Sequence, residues 1–222
     1  MRIAISQRSI THEQGARLDA LEQDYIRYYQ TFGYTLIPIP NVLNDPDSYL
    51  SSIGIQGIIL SGGGDVHPSL YGHPAASTGS YMPERDRTER LLVQYAIDHA
   101  IPLFGECRGA QFLNVFFGGS LIEDLVEYLP HAMSHVQTQH IVTFHPNDRL
   151  PNLPPGTETN SYHRHGFTEK ELAPNLRPFA STGDGVIEGF IHASMPIIGI
   201  QWHPERGKPD DSTTSLIKTL FR

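Results

Sequence analysis

The stretch PLFGECRGAQFLNVFFGGSL, residues 102–121, holds the chain's one cysteine. Cys107 stands between Gly105 and Gly109, after an apolar run (Ile101, Leu103, Phe104) and before a second (Phe112, Leu113, Val115, Phe116). The first run has the length of a buried strand, and the second keeps helical spacing. The stretch therefore reads as strand, sharp bend and helix, with a thiol on the bend. Repeated along a chain, that unit builds a mostly parallel sheet.

The flanking sequence repeats it. RIAIS (2–6) reads as a strand, and residues 16–32 as a helix carrying Leu18, Leu21, Tyr25, Tyr28, Tyr29 and Phe32. YTLIPIP (34–40) is a second strand, and GIQGIILSGGGD (54–65) a third that runs into a glycine loop. Residues 66–83 are rich in Pro, Gly, Ser and Tyr and read as a long loop. Residues 85–100 form a helix, 101–106 a fourth strand and 108–117 the helix after the cysteine. Beyond that the pattern changes: 138–145 and 185–202 read as antiparallel or paired strands, 146–156 and 173–178 as Pro/Asn-rich loops, and 211–221 as a closing helix. The expectation is a single α/β domain over 1–222, a flavodoxin-like mostly parallel sheet flanked by helices, with a small antiparallel appendage.

Composition narrows the function. With 39% apolar and 18% charged residues the 222-residue chain is an ordinary globule, large enough to bury a core without disulfides or structural metal. A formal charge of −8 gives no basic excess to meet nucleic acid or anionic membrane. One cysteine forms no internal disulfide, MRIAISQRSI lacks the apolar core of a signal peptide, and no run is long enough to span a bilayer. A cytoplasmic protein acting on a small molecule is expected.

A cysteine on a glycine-flanked bend has a chemical rationale. Small neighbours permit the tight turn, and the next helix aims its N–H groups and positive dipole end at a thiolate or an oxyanion. From GECRG alone, a buried structural cysteine reads equally well. A nucleophile also needs a base, and the base an orienting group. IIGIQWHPE, near the C-terminus, supplies His203 and Glu205, two residues apart and so on one side of an extended chain. An isolated HPE reads more simply as a solvated strand end.

Taken together and in this order, GECRGAQ and GIQWHPE resemble the class I glutamine amidotransferase superfamily, whose nucleophile elbow and His-Pro-Glu turn form a Cys-His-Glu triad. IILSGGGDVHPSLYG (58–72), RDRTE (85–89), ECRGAQFLNVFFGGSLIEDL (106–125) and TNSYHRHGF (159–167) are similar to its γ-glutamyl hydrolase branch, particularly the γ-glutamyl-γ-aminobutyrate hydrolase type. MRIAISQR and IPIPN (37–41) resemble shorter members found with surface-polysaccharide genes, one type of which hydrolyses a γ-glutamyl nucleotide amidate. The resemblance implies that Cys107 attacks the γ-glutamyl carbonyl to form a thioester, that His203 promotes the thiolate and protonates the leaving amine, and that Glu205 orients His203. It implies an oxyanion hole of two backbone N–H groups, from Arg108 and Gly63. It places Gln111 against the glutamyl moiety and Ser161 and His163, an S-x-H element, near the site. No cofactor is implied.

Three readings follow: a hydrolase that releases glutamate and a free amine, a glutaminase subunit that passes ammonia to a partner synthase, and a catalytically silent binding protein. No synthase sequence accompanies the triad, and a homodimer is left open. Glu106 departs from the family, which has an apolar residue there; a negative charge beside the nucleophile opposes thiolate formation. Twelve histidines raise the question of metal. His131 and His135 are spaced i, i+4, but no acid or cysteine completes a compact ligand set with them, so no metal site is expected.

Overall fold

The computed structural model of the protein describes residues 1–43, 45–75, 79–129, 131–207 and 210–222. In chain order the elements are β1 (Arg2–Ile5), β2 (Arg8–Thr11), β3 (Arg17–Ala20), α1 (Gln23–Gln30), β4 (Thr35–Pro38), α2 (Pro46–Ile53), β5 (Gly57–Leu60) and α3 (Pro83–Asp98). There follow β6 (Leu103–Glu106), α4 (Arg108–Phe116), α5 (Leu125–Tyr128), β7 (Thr138–Phe144), β8 (Gly156–Ser161), β9 (Leu176–Ser181), β10 (Ile187–His192), β11 (Ile197–Ile200) and α6 (Asp211–Leu220).

Nine strands make one sheet in the order β4-β1-β5-β6-β11-β10-β9-β7-β8. The first five are mutually parallel. Their order is the flavodoxin-like 2-1-3-4-5 arrangement expected from the strand–helix alternation. The last four run antiparallel to their neighbours. They extend the main sheet, and the separate antiparallel appendage is instead the hairpin of β2 with β3.

The parallel strands GIIL, LFGE and IIGI are buried along their whole length, as strands covered by helices on both faces must be. Alternate residues serve opposite layers. Ala4, Ile58, Leu60 and Leu103 pack with Leu50, Leu92, Val93 and Phe112 from α2, α3 and α4. Ile3, Ile5, Ile59 and Phe104 pack with tyrosines of α1 and with Leu216 and Ile217 of α6. No helix among the described residues is long and apolar enough to cross a membrane.

Several boundaries differ from expectation. The helix read over 16–32 is only Gln23–Gln30, because Gly15 takes φ +84° and turns the chain back into the hairpin. Leu18, assigned to that helix by spacing, lies on β3 opposite Ile10, and both are 44–45% exposed. The loop reading of 173–178 gives way to β9, whose pairing partners in β7 and β10 are distant in sequence. Helix α2 occupies a stretch to which the sequence reading assigns no element. Its signals are local: the Asp45 carboxylate caps the Ser48 N–H, Pro46 opens the first turn and Gly54 ends it at φ +66°. In the 66–83 loop, Pro68–Tyr71 form a 3₁₀ turn, while 76–78 fall outside the described residues.

Candidate active site

Three adjacent parallel strands end at one place. β5 delivers the Ser61–Asp65 glycine loop, β6 delivers Cys107, and β11 delivers Gln201 to Glu205. The carboxyl edge of a parallel sheet is where this architecture binds ligands, because loops and helix N-termini converge there.

Cys107 sits at φ 50°, ψ −108°, a conformation that costs a non-glycine residue about 1–3 kcal/mol. The neighbours explain how it is held. The Cys107 N–H donates to the Ile200 carbonyl at 2.8 Å, which ties the elbow to the end of β11. A Cβ on Gly109 would lie 2.1 Å from the Leu60 carbonyl oxygen, and one on Gly105 would lie 2.8 Å from the Gly109 carbonyl carbon. The two glycines that bracket the cysteine therefore let α4 pack directly on β5 and β6. The bend is obligatory for this packing.

His203 faces Cys107 in the same pocket, and its Nδ1 lies 2.7 Å from Glu205 Oε1 on the other side. Burial disfavours charge on the ring, yet Cys107 and the Glu205 carboxylate outweigh it and hold His203 up at about 10. The imidazolium therefore persists at neutral pH. Gly62 packs against this ring so closely that a Cβ would lie 2.6 Å from His203 Cε1. Asn160, on β8, clamps the His203 backbone: its Nδ2 donates to the carbonyl at 2.7 Å, and its Oδ1 accepts the N–H at 2.8 Å.

The glycine loop is fixed from below by a buried ion network. Arg85 donates to the carbonyls of Ser61, Gly62 and Gly63 at 2.5, 3.1 and 2.6 Å, and to Glu89 Oε1 at 2.8 Å. Arg108 pairs with Glu89 and Asp86. With the carbonyls turned inward and the Gly62 N–H taken by the Tyr25 hydroxyl at 2.8 Å, the Gly63 N–H has no intramolecular partner among the described residues. The Arg108 N–H, first in α4, has none either. Both expected oxyanion donors are available.

Glu106 follows Phe104 in strand parity, so it points into the layer of α1 and α6. It is fully buried, accepts a hydrogen bond from the Tyr29 hydroxyl and is hydrogen-bonded to Glu205. Burial and the Glu205 charge hold its carboxyl well above the usual range. Glu205 goes the other way: burial would raise it, but His203, with help from Glu106, keeps it below its ordinary value. One carboxyl oxygen on each, Oε2, is buried without a conventional partner. Glu106 therefore faces away from the pocket into the α1 and α6 layer, and its raised carboxyl disfavours a negative charge there.

A pocket of about 300 Å³ opens over these groups, lined by Cys107, His203, Gln111, Gly63, Tyr162 and Arg206 among others. Larger hollows of about 910 and 640 Å³ lie elsewhere, and neither touches Cys107. Gln111 reaches the pocket with its amide nitrogen spent on the His165 carbonyl and Gln201 Oε1, leaving its own oxygen to accept. His163 lines the pocket, but Ser161 does not. Ser161 is fully buried and its hydroxyl donates to the His135 carbonyl at 2.7 Å. The residues that sequence reading passed over are Asn160, Tyr29, Arg85 and Glu89. Only the last pair left a signal, the i, i+4 spacing of opposite charges inside RDRTE.

The histidines also regroup. His131 is exposed and joins nothing, whereas His135, His140 and His163 gather around Glu188. The expectation that no acid completes a histidine set is overturned, because β10 places Glu188 beside residues some 25–50 positions earlier in the chain.

A doubly wound sheet with a strained cysteine elbow facing a His-Glu pair defines a class of α/β proteins to which glutamine amidotransferases belong. The fold is shared with a crystal structure of a glutamine amidotransferase from Thermotoga maritima, at TM-score 0.63 over 93% of this chain and 76% of that one, with 16% identity. The chain belongs to the peptidase C26 family, which matches residues 3–205. Among its relatives is YvdE of Lactococcus lactis subsp. lactis (strain IL1403), named for its likeness to glutamine amidotransferases, at 35% identity over 82% of this chain and 79% of that protein. Another is the gamma-glutamyl-gamma-aminobutyrate hydrolase PuuD of Escherichia coli K12, at 31% over 94% and 86%.

Proposed function

We propose that the protein is a cysteine-dependent hydrolase that cleaves a γ-glutamyl amide to glutamate and a free amine. The observation that carries this reading is His203 held between Cys107 and Glu205 at the floor of a pocket with two unpaired backbone N–H donors. The hydrolase relative in Escherichia coli supports the choice of bond.

The steps follow from the positions. The Cys107 thiolate attacks the γ-glutamyl carbonyl carbon, a C–S bond forms, and the carbonyl electron pair moves to oxygen. The N–H groups of Gly63 and Arg108 receive that oxyanion, and one such donor is worth about 3–4 kcal/mol in related acyl transfers. Collapse breaks the C–N bond as His203 gives its proton to the departing amine. Water then attacks the thioester and passes a proton to His203. Glutamate leaves and the thiolate–imidazolium pair is restored. Glu205 keeps the ring in register throughout.

The rim indicates what the amine carries. In a chain of formal charge −8, Arg164, Arg206 and His165 stand around the pocket, and the Arg206 guanidinium lies 4.9 Å over the ring of Tyr162, itself 41% exposed. Asp65 lines the same pocket and these side chains are paired at rest, Arg206 with Glu22, Arg164 with Asp124 and His165 with Asp65, so a leaving amine that bears a carboxylate or phosphate would be held by an arginine exchanging partners. γ-Aminobutyrate and a nucleotide amidate both meet that description, and glutamine, whose leaving group is ammonia, does not.

The test is a panel of γ-glutamyl amides assayed for glutamate release by the isolated protein. Substituted, anionic amines are expected to exceed glutamine in kcat/KM by a large factor. Activity on glutamine alone, and only after a synthase is added, would establish the glutaminase-subunit reading instead.

A further inference from the structure

Glu188 on β10, His140 on β7, His135 in the segment before β7 and His163 just after β8 converge in the antiparallel half of the sheet, with side chains no more than 4% exposed. Glu188 Oε1 lies 3.2 Å from His135 Nδ1, 3.3 Å from His163 Nε2 and 3.7 Å from His140 Nε2. The first two are within hydrogen-bond length but not aligned as hydrogen bonds, and the third is beyond it. His135 Nδ1, His163 Nε2, both nitrogens of His140 and both oxygens of Glu188 are buried without a partner. Buried polar atoms are normally paired, so six unpaired ones in one place call for an occupant.

The far sides of two rings say what kind. His135 Nε2 is 3.0 Å from the Asp184 carboxylate, and His163 Nδ1 is 2.9 Å from the His165 carbonyl. A carbonyl only accepts and a carboxylate is acceptor-only when ionised, so both far nitrogens carry the hydrogen. The nitrogens on the other side of the two rings face Glu188 Oε1. Metal-bound histidines show this same arrangement, the outer N–H on a carboxylate or backbone carbonyl and the inner nitrogen free. Charge agrees: Glu188 and Asp184 are both buried, and no arginine or lysine among the described residues pairs with either. One divalent cation neutralises the two. Donors about 2.0–2.1 Å from a tetrahedral zinc stand about 3.3 Å apart, close to the 3.2 and 3.3 Å from Glu188 Oε1 to His135 and His163.

The geometry points to a divalent transition-metal site, fitted to Zn²⁺, with Glu188, His135 and His140 as ligands and His163 as the fourth. The donor atoms of the first three all lie within 4.8 Å of one another. Asp184 acts through His135. His163 also lines the catalytic pocket, so the ion would brace one wall of it without touching the reacting bond.

The experiment uses the full chain, untagged, as the Cys107→Ser variant, so that the thiolate does not compete for metal. After treatment with EDTA, Zn²⁺ is titrated against a chromophoric chelator, and Co²⁺ binding is read by visible absorption. One equivalent is expected, with a tetrahedral Co²⁺ spectrum and a higher Tm with Zn²⁺ than without. Glu188→Gln and His140→Ala should weaken Zn²⁺ binding at least 100-fold, and Asp184→Asn by 10–100-fold. If Glu188→Gln does not fold, the Co²⁺ spectrum of the Cys107→Ser protein decides alone. A colourless protein whose Tm ignores Zn²⁺ would show that protons hold the cluster together. Binding unaffected by the Glu188 and His140 variants would place the metal elsewhere. Either result overturns the assignment.

Discussion

Two buried charge clusters flank Cys107, and they are built on opposite rules. On the glycine-loop side, Arg85 and Arg108 face Asp86 and Glu89, two cations against two anions. On the His203 side, Glu205 alone pairs with the imidazole, and the buried Glu106 carboxyl beside it is held well above its usual range. The balanced cluster holds backbone in place. The unbalanced one holds His203 up. A site can therefore carry two dense knots of buried charge for different reasons, and mutation separates them.

The largest effect belongs to the atoms of the unbalanced side. Cys107→Ala and His203→Ala should each lower kcat by on the order of 10³-fold or more, because triad members act as a unit, and Glu205→Gln should cost less. Steady-state rates on the best γ-glutamyl amide decide this, and retained turnover in Cys107→Ala would remove the mechanism.

Breaking the balanced cluster should act through structure first. Arg85→Met leaves Glu89 with one partner fewer and frees the carbonyls of residues 61–63. Removing one member of a buried pair typically costs about 3–5 kcal/mol. A lower Tm together with a 10- to 100-fold loss in kcat is expected. A full loss of stability with kcat intact would show that the loop needs no clamp.

The pH dependence probes the unbalanced side directly. With His203 held up at about 10, the imidazolium is present through neutrality and is lost as pH rises through that value. The activity profile should therefore be flat near pH 7 and fall toward pH 10. A limb near the ordinary histidine value of about 6.5 would contradict the ion pair.

Glu106→Gln should be the mildest change in rate, within a few-fold, since the amide can still donate to Glu205 and accept from Tyr29. Its signature lies in stability. A carboxyl raised in the folded state keeps its proton where the unfolded chain has released it, so wild-type stability falls as pH rises above the unfolded value. The slope is about 1.4 kcal/mol per pH unit while only the folded form is protonated. The variant lacks this loss, so its Tm advantage should widen from pH 5 to pH 8. A constant difference would mean that Glu106 is ionised.

The contrast between the clusters also marks what sequence could reveal. The parallel half of the sheet was legible because its strands are short apolar runs between helices with local signals. The elbow was legible only once GECRGAQ was set beside GIQWHPE, because Gly105 and Gly109 around a cysteine fit a structural turn equally well. The antiparallel half was less so: β8 and β9 are polar or proline-bearing, and only pairing with distant strands makes them strands. Glu106 looked like a liability because nothing adjacent in sequence announces Tyr29 or the buried layer it points into. The histidine cluster was missed for the same reason, since i, i+4 spacing counts neighbours along a helix and this set is assembled from β7, β10 and the segments before β7 and after β8. Local chemistry is written locally; the partners that tune it arrive through topology.

The most direct test of the account is to quench turnover of a γ-glutamyl amide with acid and measure the mass of the intact protein. The chain has one cysteine, so only one thiol can carry a thioester. The expected result is a single glutamyl adduct mapping to Cys107, absent in Cys107→Ala, with substrate slowing alkylation of that thiol by iodoacetamide. Turnover with no adduct, and undiminished after Cys107 has been alkylated, would contradict it.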